Sequence, residues 1–354
     1  MPLSLTRAVI CALAFVCAAL AAGQDYAPIS AANLGLLHSH GRIDFAEFPG
    51  EPKIGWFEAD ADASEFILFD QAGRIYRAAP AGIEDSWSYV ETGSGQLFSL
   101  IDAAYIADEA QVLYVLDGDY FINERRLPAG REPVAIFPFG DSLIVEALDA
   151  NGRTLFMQFA DAKETDAWQL VGESPVPATD PQTPAVRIGR IDFPIVLYSA
   201  LEDGALEVYR YPDAFEASLV TEYNLPQGPA VFGAVNGATG SHFAWSDPAS
   251  TRLNLLNLET GESRVVAEIG HAYAQYHMLA ADASAILVVN LDFAPEVFAW
   301  DVDTGERHEL GAYRECERIP DKVALSANGT ALVIGCDTGL DIWRVSENAE
   351  SEES

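Results

Sequence analysis

The carboxylates best placed for chemistry lie in the segment FEADADAS, where Glu58, Asp60, Asp62 and Ser64 alternate along the chain. In an extended segment, alternate side chains point to the same side, and calcium binds oxygen ligands of this kind. A calcium loop usually also has a glycine and a bidentate acid at fixed spacing, and neither is clear here. Glu58, Asp60 and Asp62 are therefore a candidate calcium site, and a solvated turn is the competing interpretation.

A second set of carboxylates recurs at the ends of seven apolar runs of strand length. Each run ends in an acidic turn, after which a new run begins. Aspartate stabilises tight turns by bonding its own backbone two residues on, and several such residues on one face would also attract cations. We expect these residues, here called the turn acids, to form an acidic rim: Asp70, Asp117, Asp149, Asp203, Asp247, Asp292 and Asp337.

No familiar catalytic constellation occurs in the sequence. It has no HExxH motif, no serine in a nucleophile elbow and no glycine-rich phosphate loop. His38 and His40 lie two residues apart on a predicted strand, as a zinc pair could, but packing or solvent exposure explains them equally well. The sequence therefore assigns no catalytic residue, and calcium is the one cofactor it suggests.

The first segment has the pattern of an export signal. Arg7 is followed by apolar residues from Ala8 to Ala22, a run too short to span a membrane. Ala19-Leu20-Ala21 provides a small-x-small cleavage site. We expect residues 1–21 to be a signal peptide and the mature protein to be secreted, either extracellular or periplasmic.

Two cysteines remain after this signal, Cys316 and Cys336. An even count in an exported protein favours a disulfide bond. In the chain-entropy model, a bridge closing a loop of about 20 residues contributes roughly 3 kcal/mol to stability. Two buried free thiols are the alternative.

The spacing of the turn acids indicates the elements that carry them. Successive turn acids are 47, 32, 54, 44, 45 and 45 residues apart. A period near 45 in a strand-rich chain is typical of a β-propeller. We therefore predict an all-β, seven-bladed β-propeller over residues 22–345, with four antiparallel strands per blade. Each third strand should carry one bulky residue: Tyr76, Phe121, Phe156, Tyr209, Leu256, Trp300 and Trp343.

The last unit, KVALSANGTALVIGCDTGLDIWRV, resembles the WD-repeat family. Its residues follow the order of the family's repeat: Ser326, Gly329, Leu332, Gly335, Asp337, Gly339 and Trp343. The resemblance covers the last two blades well and the first five weakly, and the family's His-Asp-Trp hydrogen-bond wiring is not visible. It implies a degenerate WD-repeat-like propeller of the secreted bacterial type.

The two ends of the chain are predicted to share the last blade. The last unit supplies three strands and stops at Val345, while residues 34–40 precede the first full blade without a partner of their own. We expect residues 34–40 to pair with residues 341–345, because this pairing removes an exposed sheet edge. Residues 346–354 carry four glutamates and should form an acidic disordered tail.

Net charge restricts the partners. The chain has 54 acidic and 20 basic residues, a net charge of −34, which argues against nucleic acid or an anionic membrane as a partner. The predicted inner strands, residues 134–139, 230–235 and 322–326, are mostly apolar or small, which favours binding over catalysis.

We therefore expect a monomeric binding or scaffold module for a protein, peptide or glycan. The alternative is a secreted propeller hydrolase or lyase with a carboxylate or metal site at the channel mouth.

Overall fold

The structure is a computed structural model of the chain. It describes residues 26–48, 54–70, 74–80, 82–88, 98–106, 109–123, 125–139, 142–152, 154–162, 167–175, 185–187, 195–200, 205–210, 218–224, 232–235, 241–246, 252–257, 259–268, 275–290, 296–313 and 322–346.

Within these residues the strands form seven four-stranded antiparallel sheets. One strand, β1 (Leu37–Asp44), precedes the first complete sheet. Sheet 1 consists of β2 (Ile54–Ala59), β3 (Phe66–Asp70), β4 (Arg74–Ala79) and β5 (Gly82–Ser88). Sheet 2 consists of β6 (Phe98–Ile106), β7 (Glu109–Leu116), β8 (Asp119–Ile122) and β9 (Arg125–Arg126). Sheet 3 consists of β10 (Glu132–Phe139), β11 (Ser142–Leu148), β12 (Thr154–Ala162) and β13 (Ala167–Pro175).

The remaining sheets follow the same order along the chain. Sheet 4 consists of β14 (Ala185–Arg187), β15 (Ile195–Ala200), β16 (Ala205–Arg210) and β17 (Ser218–Asn224). Sheet 5 consists of β18 (Phe232–Val235), β19 (His242–Ser246), β20 (Arg252–Asn257) and β21 (Ser263–Glu268). Sheet 6 consists of β22 (Gln275–Leu279), β23 (Ala285–Asn290), β24 (Glu296–Asp301) and β25 (Arg307–Ala312). The closing sheet consists of β26 (Lys322–Leu325), β27 (Ala331–Cys336), β28 (Gly339–Val345) and β1.

The sequence pattern correctly located the second and third strands of every sheet. All seven apolar runs form second strands, and all seven bulky residues lie on third strands. Phe66, Val145 and Ile286 on second strands are fully buried, because both faces of such a strand pack against neighbouring sheets. This burial explains why the runs are continuously apolar and do not alternate with polar residues.

Neighbouring sheets stack through their apolar faces and their first strands. Strand β6 contacts β2 and β10, and β22 contacts β18 and β26. One core cluster joins Phe57 and Leu68 of sheet 1 to Val333 and Ile342 of the closing sheet. A second cluster joins sheet 6 to the opposite face of the closing sheet. The closing sheet is therefore packed on both faces.

The pairing of the two chain ends is confirmed, but the predicted strand bounds are wrong. Strand β1 runs from Leu37 to Asp44 and pairs antiparallel with β28, with Leu37 opposite Val345. Residues 34–36, predicted to begin the strand, instead lie in a 3-10 helix, Ala31–Leu36. Ser30 and Asn33 cap this helix through reciprocal hydrogen bonds, which turns the chain before it reaches the sheet edge. A second 3-10 helix, Phe45–Glu47, follows β1.

Several sequence predictions lie outside the described residues. These are the signal peptide, the acidic tail beyond residue 346, Cys316, and the turn acids Asp203, Asp247 and Asp292. Cys336 is buried at the end of β27, and its bridge to Cys316 stays a prediction. Among the described residues, none forms a helix long and apolar enough to cross a membrane.

Candidate functional site

The four described turn acids lie at equivalent places in four sheets. Asp70, Asp117, Asp149 and Asp337 each follow the second strand and precede the third. Because every sheet runs antiparallel in the same order, these turns lie at the same end of their sheets. That these turns together form one acidic rim stays a prediction.

Two of the described turn acids also stabilise their own turns through side-chain hydrogen bonds. The Oδ1 atom of Asp70 accepts a hydrogen bond from the backbone N–H of Arg74 at 2.7 Å. In the same way, Asp149 accepts one from the backbone N–H of Asn151 at 2.7 Å. Asp117 and Gly118 have φ values of 50° and 88°, which suit a two-residue hairpin. The turn chemistry predicted for these residues is therefore present, and it leaves the predicted negative rim possible.

Asp60 is occupied by its own turn. Its carboxylate accepts hydrogen bonds from the backbone N–H groups of Ser64 at 2.8 Å and Glu65 at 3.1 Å, and from the Ser64 hydroxyl at 2.7 Å. Burial raises the pKa of Asp60. Burial also acts to raise the pKa of Asp62, but hydrogen bonds from Ser64 outweigh it, so this pKa is lowered. Both carboxylates thus serve the turn between β2 and β3.

Glu58 faces a different partner. The Lys322 ammonium donates to the Glu58 carboxylate at 2.6 Å and to the Phe57 carbonyl at 2.5 Å. It also lies over the ring of Trp56, 4.1 Å from the centroid. This pair joins β26 to β2 across the seam between the closing sheet and sheet 1. Within the described ranges, no group of three or more histidine, cysteine, aspartate or glutamate side chains could hold a metal. Calcium binding at Glu58, Asp60 and Asp62 stays an untested prediction.

FEADADAS contains one copy of a repeated turn, which was not predicted from the sequence. The same backbone geometry occurs between the first and second strands of sheet 1, sheet 6 and the closing sheet. In each copy one residue has a positive φ: 56° at Ala63, 58° at Ala283 and 73° at Gly329. The residue before it is an aspartate or asparagine whose side chain accepts the N–H of the next serine or threonine. The repeated letters Ala-Asp-Ala-Ser at 61–64 and 281–284 were the available signal.

These turns also contact one another. The Asn328 N–H donates to the Ala61 carbonyl at 3.0 Å. A Cβ atom added at Gly329 would lie 3.0 Å from the Cβ of Ala281. The turns of sheet 6, the closing sheet and sheet 1 therefore form a continuous surface at the end of the sheets opposite the turn acids.

The first strands carry more polar groups than the sequence analysis noted. Asp102 on β6 is buried, and its carboxylate accepts the backbone N–H of Ile136 on β10 at 2.9 Å. His277 on β22 is also buried, and burial lowers its pKa to about 4. Asp102, like Glu58, connects two neighbouring sheets. Glu58 on β2 and Asp102 on β6 are therefore engaged in holding neighbouring sheets together.

No protein-family model matches the chain, and no curated protein matches its sequence. Its fold is nevertheless similar to solved structures. The WD40 domain of Neurospora crassa Pan2 has a TM-score of 0.58 at 8% identity, covering 88% of this chain and 96% of that one. The β-propeller domain of Myceliophteria thermophila Cps50 (Swd1) has a TM-score of 0.56 at 8% identity, covering 88% and 100%.

A third similar structure is the C-terminal WD40 domain of Sif2. It has a TM-score of 0.50 at 9% identity and covers 84% of this chain and 83% of that domain. Identities this low are informative about fold and leave function open. Together with the stacked four-stranded sheets, these likenesses show that the chain has a WD-repeat-like β-propeller fold.

Proposed function

We propose that this protein is a secreted, seven-bladed β-propeller that binds a cationic segment of a partner through its acidic rim and catalyses no reaction. The observation that carries the proposal is the common placement of the described turn acids at one end of their sheets. With a net charge of −34, such a face produces a negative potential that attracts cations over distances near the Debye length.

The engagement of inner polar groups supports binding over hydrolysis. A carboxylate site at the channel mouth would need acids that point toward a substrate. Glu58 pairs with Lys322, and Asp102 accepts a backbone N–H of the neighbouring sheet. Removing either carboxylate from its partner would leave a buried polar group unsatisfied. These carboxylates are therefore held in place by structural partners, which disfavours a role in transferring protons to a substrate.

The chemistry of the rim favours a lysine- or arginine-rich protein or peptide as the partner. Carboxylates form charge-assisted hydrogen bonds with ammonium and guanidinium groups, whereas a neutral glycan gains nothing from the net charge. Calcium is a further ligand that such a rim could attract. Charge complementarity of this kind contributes chiefly to association rate and specificity.

The experiment is a titration of the mature protein with a decalysine peptide, followed by fluorescence anisotropy. The test variant is the triple change Asp117→Asn, Asp149→Asn and Asp337→Asn, which keeps an acceptor oxygen for each turn but removes three charges. If each exposed pair contributes about 0.5 kcal/mol, the triple variant should bind about tenfold more weakly. Calcium chloride should compete only if it binds the same rim.

A matched control removes the same charge from the opposite end of the sheets. Its changes are Glu259→Gln, Asp282→Asn and Asp303→Asn, all at exposed residues. We expect this control to bind decalysine within about twofold of wild type, since its changes lie beyond a Debye length of the rim. Equal weakening by both triple variants would show that net charge acts without a specific face, and the proposal would fail.

Export is tested separately. Expression of the full chain in a Gram-negative host, followed by fractionation and N-terminal sequencing, should place the protein outside the cytoplasm with Ala22 as its first residue. Recovery of uncleaved chain in the cytoplasm would contradict secretion while leaving the rim proposal intact.

A further inference from the structure

The N-terminal segment, residues 26–48, is bound to the rest of the protein much as a separate ligand would be. We propose that the groove it fills, here called the closing groove, can accept the same segment from a second copy of this chain and so form a strand-exchanged dimer. The groove consists of the outer edge of β28 and the turns at 280–284 and 326–330.

The first part of the segment lies across the two turns. The Ile29 N–H donates to the Gly329 carbonyl at 2.9 Å, and the Ala31 N–H donates to the Ser284 hydroxyl at 2.8 Å. Ile29 and Leu34 are fully buried in a cluster formed largely by sheet 6 and the closing sheet. The segment thus contributes apolar side chains to a core built by residues about 250 to 300 positions away in the sequence.

The second part of the segment adds a strand whose register is fixed by charge. Arg42 lies directly opposite Asp341, and its guanidinium donates to the Asp341 carboxylate at 2.9 Å. The same guanidinium donates to the Thr338 hydroxyl at 2.7 Å, and the Phe45 N–H donates to the Thr338 carbonyl at 3.0 Å. A slip of one residue would separate this pair and move Ile43 off the core face.

A third contact fixes the beginning of the segment. The Tyr26 ring stacks on the Arg344 guanidinium, 4.2 Å from the ring centroid, and its hydroxyl bonds the His40 ring at 2.7 Å. Arg344 in turn donates to the Ala63 carbonyl of sheet 1 at 2.7 Å. The docked segment is therefore recognised at three places: the two turns, the edge of β28 and the Arg344 side chain.

These contacts do not depend on which copy supplies the segment. When an element is exchanged between identical chains, the contacts are the same in both forms, and concentration decides between them. The tether to sheet 1 gives the chain's own segment a high effective concentration, so the monomer should dominate in dilute solution. An unfilled groove exposes the β28 edge during folding, which favours capture of a second copy when chains are concentrated.

The experiment uses the mature chain with Leu36→Cys and Ser346→Cys. The Ser346 N–H donates to the Leu36 carbonyl at 3.1 Å, so the two new thiols meet only when the segment is docked. Unlabelled and ¹⁵N-labelled chains are unfolded together, refolded at moderate salt over a hundredfold concentration range, and oxidised. We expect peptides joining a heavy position 36 to a light position 346, in a fraction that rises with protein concentration.

Heavy and light double-cysteine chains that are mixed only after folding, and then oxidised, serve as the control for random cross-linking and should give no mixed peptide. A second measurement, size-exclusion chromatography with light scattering on wild-type chain refolded at high concentration, should show a dimer that returns to monomer after unfolding and dilute refolding. If only heavy–heavy and light–light 36–346 links form at every concentration, the proposal is overturned. A dimer without mixed links would also overturn it, because another surface would then hold the copies together.

Discussion

In both sheet 6 and the closing sheet, the first three strands follow one another along the chain. The two sheets differ in the origin of their fourth strand. In sheet 6, β25 follows β24 through the turn Asp301–Arg307, where the Asp301 side chain accepts the N–H groups of Asp303 and Thr304 at 2.8 Å each. In the closing sheet, β1 comes from the other end of the chain. The fourth strand is local in one sheet and non-local in the other.

The difference accounts for an ion pair between the last two strands of the closing sheet. A hairpin turn fixes the register of β25, whose side chains are mostly exposed or partly exposed. No hairpin turn fixes the register of β1, so side chains must do so. The partly buried Arg42 pairs with the buried Asp341 directly opposite. Non-local pairing also carries a larger loop-closure entropy, which the docked Ile29, Leu34 and Leu37 side chains offset by burial.

Removal of Arg42 should have the largest effect on stability. Arg42→Ala leaves the Asp341 carboxylate, which is 1% exposed, without its charge partner, and such a loss costs about 3–5 kcal/mol. Glu309→Ala removes the exposed ion pair to Arg307 on β25 and should cost less than about 0.5 kcal/mol. Urea denaturation of both variants measures the contrast. Similar losses would show that the non-local strand does not depend on its buried pair.

Acid sensitivity should lie in sheet 6. The pKa of His277 is lowered to about 4 by burial, so the unfolded chain binds more protons than the folded chain between this value and the ordinary 6.5. The contribution of neutral, buried His277 to the free energy of unfolding is therefore fully present above pH 6.5. It falls by about 3 kcal/mol as the pH decreases toward 4. In His277→Gln this loss should be absent, while the loss of stability caused by protonation of carboxylates remains.

His40 in the closing sheet is the matched control for acid sensitivity. Its side chain is largely exposed. The remaining partial burial, together with the nearby Arg344 charge, lowers its pKa. His40→Gln should therefore change the pH profile much less than His277→Gln. Free energies of unfolding measured from pH 7 to pH 4 compare the two variants. A larger effect of His40→Gln would show that the acid-sensitive group lies in the closing sheet.

The sequence predicted local features well because local physics determines them. Second strands are continuous apolar runs, and each is followed by a turn acid. The spacing of the turn acids therefore located the second strands and the turns after them. The shift of the closing strand from 34–40 to 37–44 could not be read from the apolar pattern. Leu34 is buried either in a strand or in the 3-10 helix that Ser30 and Asn33 cap.

The contacts between distant residues were beyond reach of sequence reasoning. Lys322 and Glu58 are 264 positions apart and meet only because the last sheet packs against the first. For the same reason Glu58 was grouped with Asp60 and Asp62, its neighbours in sequence. The repeated Ala-Asp-Ala-Ser turn is different, because its signal was present in the sequence. It assigns Asp62 to a turn that does not include Glu58.

The predicted disulfide would strengthen the closing sheet further. If Cys316 and Cys336 are joined, Cys336→Ser should lower the free energy of unfolding by about 3 kcal/mol in the chain-entropy model. Cys316→Ser should have an equal effect, and the double variant should add nothing to either. Mass spectrometry of unreduced, denatured protein after alkylation checks the bond directly. Modification of both cysteines would show that no bridge exists.

The smallest expected effect concerns the space between β28 and β1. A Cβ atom at Gly339 would lie 2.4 Å from the Ile43 carbonyl oxygen and 3.0 Å from the Arg42 guanidinium. The equivalent position on the third strand of sheet 6 is Glu296, where a long side chain is accommodated beside the hairpin-linked β25. Overpacking of this kind costs about 1–3 kcal/mol, so Gly339→Ala should destabilise the protein by displacing β1.

Gly35→Ala is the matched control for this change, because nothing lies within 4 Å of its added Cβ. It should be neutral, or stabilise the protein by up to about 1 kcal/mol through the reduced entropy of the unfolded chain. Thermal unfolding of both variants gives the comparison, and refolding Gly339→Ala with the cysteine pair at 36 and 346 locates its cause. If β1 is displaced, the cross-link yield falls with stability; an unchanged yield would place the strain within β28 itself.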